Sequence, residues 1–314
     1  MNAPLLNVEN LSVEFSTRAG SHAAVSDVSF TLCAGETLGV VGESGSGKSL
    51  TMLSLLQLLP NRAAAHATRA QLGERNLLQL TRTELDAVRG REIAIVFQDP
   101  LTALNPVLSI GRQITEVLRH HFRLDPAQSR LRAIELLARV GIADPALRMT
   151  QYPHEFSGGM RQRVTIAMAL AGNPKILIAD EPTTALDVTV QAQIVSLVAG
   201  LLEQTGMAAI WVTHDLALLA RIADRVMVMF AGRVMETATC EDLFARPEHP
   251  YTQALLANLR QAEGATTAVT ADAAARGCPF APRCPAVADI CRSTAPALSR
   301  AAHGGQIACW AGRE

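Results

Sequence analysis

Gly42-Glu43-Ser44-Gly45-Ser46-Gly47-Lys48-Ser49 is spaced to cradle a chain of phosphates. Its glycines let successive backbone N–H groups point at one spot, and a helix opening near Gly47 adds its positive dipole end there. Lys48 brings a compact charge for the outer phosphates, and the Ser49 hydroxyl is a ligand for Mg²⁺. Arginine supplies 26 of the 28 basic side chains, and lysine occurs only at Lys48 and Lys175. A chain that spends arginine almost everywhere has kept lysine where a point charge must fit a tight cradle. A second pattern, Ile176-Leu177-Ile178-Ala179-Asp180-Glu181, is an apolar strand ending in two carboxylates. Asp180 is a candidate Mg²⁺ holder and Glu181 a candidate general base for an attacking water. Alone this pattern is as often a helix cap; beside a phosphate loop it reads as chemistry.

A third pattern is Phe156-Ser157-Gly158-Gly159-Met160-Arg161-Gln162. A Ser-Gly-Gly turn at a helix start offers bare amides, a hydroxyl and a dipole to an anion, although Ser157 alone reads first as an N-cap.

These groups need particular elements to position them. The phosphate loop follows the apolar run Thr37-Leu38-Gly39-Val40-Val41 and precedes a helical stretch over 50–59, the strand–loop–helix order that makes such a loop credible. Period-two alternation over 5–15 and 24–32 predicts antiparallel strands joined by a turn at Arg18-Ala19-Gly20-Ser21. The stretch 61–83 is polar and irregular, with weak strand content at best. Buried strands are expected over 93–97, 175–179 and 208–213, and helices over 110–122, 127–140, 158–171 and 188–204. A final hairpin about Ala231-Gly232, with strands 225–230 and 233–237, closes the sheet. Gly42 and Asp180 lie 138 residues apart, far more than one βαβ unit requires, so a helical subdomain must be inserted between them. After 259 the periodicity fades, 261–276 reads as a linker, and a cysteine-bearing tail follows.

Bulk properties narrow the class. At 314 residues with 49% hydrophobic content and 4% aromatics, the chain builds a substantial α/β core. A net charge of −1 argues against a broad nucleic-acid or acidic-lipid surface. No apolar run reaches the ~18 residues of a membrane-spanning helix. Residues 1–8 lack a basic region followed by an apolar core, so no secretory signal is expected. In such a setting cysteines stay reduced unless metal takes them.

Taken together, these motifs resemble those of an ATP-binding cassette (ABC) ATPase over about residues 5–259. The resemblance implies a P-loop NTPase cassette, with a RecA-like parallel-sheet core, an antiparallel β-subdomain and an inserted α-helical subdomain at about 99–172. It gives an ATPase domain over 1–260 and a linker plus cysteine tail over 261–314. Ser157, Gly158 and Gly159 correspond to the family signature, with Phe156 and Met160 in place of the commoner Leu and Gln. By resemblance, Gln98 links Mg²⁺ and the attacking water to the membrane-subunit contact region. Ala185-Leu186-Asp187 is the loop crossing the dimer interface, His214 contacts the γ-phosphate, and Phe15 stacks on adenine. Alone, His214 reads as an ordinary strand-end histidine, Gln98 as a turn residue and Phe15 as core. Leu50 replaces a commoner Thr but keeps its backbone amide for the phosphates.

Longer strings resemble the dipeptide/oligopeptide importer branch, which also contains nickel and glutathione importers. They are Phe97-Gln98-Asp99-Pro100-Leu101-Thr102-Ala103-Leu104-Asn105-Pro106, Phe156 through Arg163, and His249-Pro250-Tyr251-Thr252-Gln253-Ala254-Leu255-Leu256. The branch implies import of peptides at the cytoplasmic face of a bacterial inner membrane. Its partners would be a second, homologous ATPase chain, two transmembrane permeases and a periplasmic or lipid-anchored binding protein. The rival reading is a soluble ABC ATPase of DNA repair or translation. Those types carry a long coiled-coil insertion or a second cassette, and neither is visible here. Cys278, Cys284, Cys291 and Cys309 lie within the last 37 residues, too short a segment to hold itself by a core. Four thiolates suit a [4Fe–4S] cluster or tetrahedral Zn²⁺, and the wide spacing departs from usual zinc pairs. Resemblance to similar tails favours iron–sulfur. Cys33 and Cys240 are expected to be small apolar fillers.

Overall fold

The computed structural model describes residues 3–17, 20–184, 186–260, 276–302 and 304–311. Contacts divide the chain into two units, one of residues 1–80 with 211–314 and one of residues 81–210. The strand Ala208–Thr213 runs through the second crossing point.

In the first unit, Leu6–Thr17 and Gly20–Leu32 pair antiparallel from Leu6↔Leu32 to Thr17↔Gly20. Arg18 and Ala19 of the expected turn lie outside the described residues. The inward set switches along both strands, from Leu6 and Val8 to Leu11 and Val13, and from Val25 to Val28 and Phe30. Register shifts at Val8/Leu11 and Leu11/Val13 accompany the switch, and Asn10 (φ 53°) and Asp27 (φ 54°) take left-handed backbone there. A one-residue bulge is what reverses the facing of a strand.

The segment expected to be irregular is strand-forming. Ala63–His66 pairs antiparallel with Ser12 to Phe15, and Arg69–Leu72 with Leu6 to Glu9. A tight turn at Gly73 (φ +59°) returns the chain to Arg75–Asn76. Four-residue strands built of Ala, His, Arg and Gln carry little propensity of their own. Pairing and the burial of Ala70, Leu72 and Leu77 decide the outcome.

The strand Thr37–Val41 is buried throughout and pairs in parallel with Arg225–Phe230. That strand turns through Ala231 (φ 46°) and Gly232 (φ 75°) into Arg233–Thr239. Two successive positive φ values give the primed turn whose twist suits a hairpin. This hairpin does not end the sheet as expected. Gln306–Ile307 from the tail pairs with Glu236 and Thr237, and Ser299–Arg300 pairs beyond it.

The tail is also seated by an aromatic cluster. Phe280 packs against Phe230 at 5.6 Å, Tyr251 at 5.3 Å and His249 at 6.1 Å between ring centroids. His249 is 1% exposed, and its Nδ1 accepts from the Tyr251 amide at 3.0 Å. Burial holds its pKa down to about 4, against opposing pulls from Glu236 and a backbone bond to Ala308. The folded state thus binds this proton more weakly than the unfolded chain does. The stabilisation is whole above about pH 6.5 and is lost as pH falls toward 4, with an upper size of about 3 kcal/mol. The urea midpoint should therefore fall markedly between pH 7 and pH 5; an unchanged midpoint would contradict a neutral, buried His249.

The second unit pairs Ile93–Val96 in parallel with Ile176–Asp180. Its main helices are Ile110–Phe122, Pro126–Arg139, Gly158–Ala171 and Val188–Thr205. Each opens on a side-chain cap: Ser109, Asp125, Ser157 and Asp187 accept from the amides of Arg112, Gln128, Met160 and Val190. Such caps contribute about 1 kcal/mol each, and they set where the helices begin.

Candidate functional site

In the first unit the phosphate loop emerges from the buried strand Thr37–Val41 and feeds the helix Lys48–Leu55. At Gly42 a Cβ would collide with the carbonyl oxygen of Met229 and crowd Ser46 Oγ. Gly45 (φ +78°) and Gly47 (φ +92°) are left-handed, a conformation L side chains rarely adopt. Gly47 caps the helix without a side chain, so the N-terminal amides face the loop rather than a hydroxyl or carboxylate. Ser44 and Gly45 are exposed at the loop's tip, while Ser46 and Lys48 are buried and Ser49 and Leu50 half-buried. Lys48 Nζ donates to the carbonyls of Gly42 at 2.8 Å and Glu43 at 3.0 Å, which lays the ammonium across the loop. A glycine cradle with a fixed ammonium across it fits an oligophosphate.

Glu43 is itself gripped. Its amide donates to the Tyr251 hydroxyl at 3.1 Å, and its carboxylate takes two hydrogen bonds from Arg283, at 2.9 and 3.0 Å. Burial is the main cause raising the Tyr251 pKa, so the phenol stays neutral. Sequence reading assigned no role to Tyr251 or Arg283. The visible signals were the tyrosine in His249-Pro250-Tyr251 and an arginine directly before Cys284. Phe15 is half-buried near the end of its strand, opposite His22 and Ala63. His214 is exposed just past Ala208–Thr213, where Asp215 caps the next turn by accepting from Ala217 and Leu218.

In the second unit Asp180 ends its strand at 6% exposure. Glu181, next in sequence, adopts φ 46°. A non-glycine residue in the left-handed region costs of order 1–3 kcal/mol, a strain typical of functional positions. Its Oε2 accepts from Thr184 Oγ1 at 2.9 Å and from Gln98 Nε2 at 3.5 Å. Gln98 and Glu181, 83 residues apart in sequence, thus stand side by side. Thr184 had no place in the sequence reading. Ser157 and Gly158 are exposed at the start of the helix Gly158–Ala171, and Ser157 Oγ accepts from Met160 at 3.3 Å. A Cβ on Gly159 would press against Val190. Asp187 caps the helix Val188–Thr205. Ala185 lies outside the described residues.

The tail cysteines converge. Cys278, Cys284, Cys291 and Cys309 all line one largely apolar cavity of about 170 Å³. Burial is the first cause raising the Cys278 and Cys284 pKa values, and the neighbouring Cys291 and Cys309 raise them further. Among the described residues, no group of three or more His, Cys, Asp or Glu is set to hold a metal ion as it stands. Cys33 is exposed, contrary to the filler expected there, because it follows the strand's last residue. Cys240 is half-buried, and its thiol donates weakly to the Leu219 carbonyl at 3.8 Å. Residues 261–275 of the expected linker lie outside the described residues. Among the described residues no helix is long and apolar enough to cross a membrane.

Residues 25–184 match the ABC transporter family, and residues 235–291 match the C-terminal region of oligopeptide/dipeptide transporters. The chain is 47% identical over 314 residues to the oligopeptide transport ATP-binding protein OppD of Escherichia coli, covering 98% of this chain and 93% of that one. It is 44% identical to the dipeptide transport ATP-binding protein DppD of Bacillus subtilis, covering 98% and 94%. Among solved structures, a dimeric post-hydrolysis ATP-binding cassette bound to ADP and Pi aligns with TM-score 0.64 at 28% identity, covering 75% of this chain and 98% of that one. A glycine loop with its lysine laid across it, a strand-end carboxylate pair and these matches agree: the chain belongs to the ABC transporter ATP-binding family and carries the C-terminal region of its oligopeptide/dipeptide branch.

Proposed function

We propose that this chain is the ATP-hydrolysing subunit that powers import of di- or oligopeptides through an inner-membrane ABC transporter. The observation that carries this reading is the pairing of the cassette motifs with a tail matching the oligopeptide/dipeptide transporter region. In this reading Lys48 exchanges its Gly42 and Glu43 carbonyl partners for phosphate oxygens, and the amides from Gly42 to Leu50 hold the remaining charge. Ser49, Asp180 and Gln98 would hold Mg²⁺, which would offset negative charge on the phosphates. Phe15 stacks on adenine. Glu181 takes the proton of the attacking water, with Gln98 and Thr184 holding its carboxylate in place. His214 contacts the γ-phosphate.

Ser157, Gly158, Gly159 and Asp187 serve a partner cassette paired head to tail. ATP bridges two such chains and binds the closed pair better than the open one; that difference in affinity is what drives closure. The partners are a second, homologous ATPase, two permeases and, indirectly, a periplasmic or lipid-anchored peptide-binding protein. The chain itself is peripheral at the cytoplasmic face. Vesicles holding the cognate permeases, this subunit and its partner ATPase should accumulate labelled dipeptide or oligopeptide only with ATP and binding protein. Uptake of nickel or glutathione instead of peptide would reassign the cargo, and no ATP-dependent uptake at all would overturn the reading.

The four tail thiols are proposed to hold a [4Fe–4S] cluster, with zinc as the alternative. Support comes from the one apolar cavity that all four thiols line. Such a group, if held by Cys278, Cys284, Cys291 and Cys309, would cross-link the tail. Anaerobically purified full-length protein should be brown, with visible sulfur-to-iron absorption that Cys284→Ser abolishes. Colourless protein containing one zinc selects the alternative, and protein free of both metals ends the proposal.

A further inference from the structure

Glu43, in the phosphate loop, is held at its amide, its carbonyl and its carboxylate. Tyr251 holds its amide, Lys48 takes its carbonyl, and Arg283 takes both carboxylate oxygens. Arg283 comes from the tail, 240 residues downstream, and its guanidinium sits 5.6 Å from the ring centroids of both Phe230 and Phe280. Both ends of the pair are partly shielded, with side-chain exposures of 20% and 31%. A bidentate pair with a clamped, stacked guanidinium is far from the ordinary exposed ion pair.

A carboxylate in this loop is costly for a protein whose ligand is a polyanion. Unpaired, Glu43 would repel the phosphates that Lys48 and the loop amides attract, at a range where Coulomb terms are still large. We propose that Arg283 is a positioning residue of the phosphate loop, neutralising Glu43 and drawing its carboxylate to the tail so that the cradle presents net positive character to ATP. The inference rests on the reading of the loop as the ATP site. It makes the tail part of the nucleotide machinery, although no tail residue need touch the nucleotide.

The test is Mg-ATP affinity, measured on full-length protein by equilibrium titration, together with the KM and kcat of hydrolysis. Arg283→Ala should weaken ATP binding about tenfold and raise KM in parallel, with kcat changed less than about twofold. Arg283→Lys, keeping the charge but losing the fork, should fall between. The deciding variant is Arg283→Ala with Glu43→Gln, which removes the exposed negative charge and should return affinity to within about threefold of the original protein. A role confined to packing on Phe230 and Phe280 would leave that double variant as weak as Arg283→Ala, and would overturn the proposal. So would an Arg283→Ala protein that binds ATP normally. Thermal unfolding of each variant identifies losses that come from a loosened tail. If the unaltered protein binds no ATP, the reading of the loop itself fails, separately from the role of Arg283.

Discussion

Glu181→Gln should reduce ATP turnover by about 10²–10⁴ while leaving nucleotide affinity nearly intact. The change keeps size and hydrogen-bonding capacity but removes the basic oxygen pair. The left-handed backbone at Glu181 and the hydroxyl of Thr184 fix where that carboxylate points, so an amide will occupy the same place. Proton acceptance is lost and orientation is kept. With its partner ATPase present, the variant should accumulate as an ATP-bound closed pair, visible as the summed mass of the two chains in scattering or size-exclusion runs with Mg-ATP. Hydrolysis at the original rate would remove Glu181 from the role of base. Equal loss of binding and turnover would mean the residue shapes the site rather than driving the step. Thr184→Ala should have a smaller effect in the same direction, since it frees the carboxylate without removing it.

Lys48→Ala should weaken ATP binding about 100-fold, measured by titration with a fluorescent nucleotide. Charge-assisted hydrogen bonds contribute about 1.5–3 kcal/mol each, and Lys48 would supply at least one to the phosphates. The loop should survive the change, because its shape is fixed by Gly42 against Met229 and by left-handed Gly45 and Gly47 rather than by the ammonium. Lys48→Arg should rescue little. The pocket now holds a compact ammonium at 4% exposure between two carbonyls 2.8 and 3.0 Å away, and a planar fork does not fit those contacts. Unchanged affinity in Lys48→Ala would deny the loop its ligand.

Much of this was legible in the residues. Uniformly apolar runs such as Ile176–Asp180 and Ala208–Thr213 announced themselves as buried strands, and helices such as Gly158–Ala171 by their periodicity and caps. The stretch 63–76 was not legible, because its strands are four residues or fewer and owe their form to the Leu6–Thr17 partner. The tail strands Ser299–Arg300 and Gln306–Ile307 were hidden for the same reason: a two-residue strand has no period. Within the site, residue types at fixed local spacing pointed to Lys48 and Glu181. Contacts made across hundreds of residues, Arg283 and Tyr251 to Glu43, left no local pattern to find. The four cysteines were countable in advance, but only folding gathers them around one cavity.

The scarcity of lysine has a practical consequence. Of the two, Lys48 is buried, whereas Lys175 has 61% of its side chain in solvent and only a 3.3 Å ion pair to Glu92. Of the two lysines, amine-selective dyes or cross-linkers added to the folded protein will therefore mark Lys175 in preference to Lys48, without engineering. Complete cleavage of the unfolded chain after lysine should yield just three peptides, so a mass spectrum can assign every such mark at a glance.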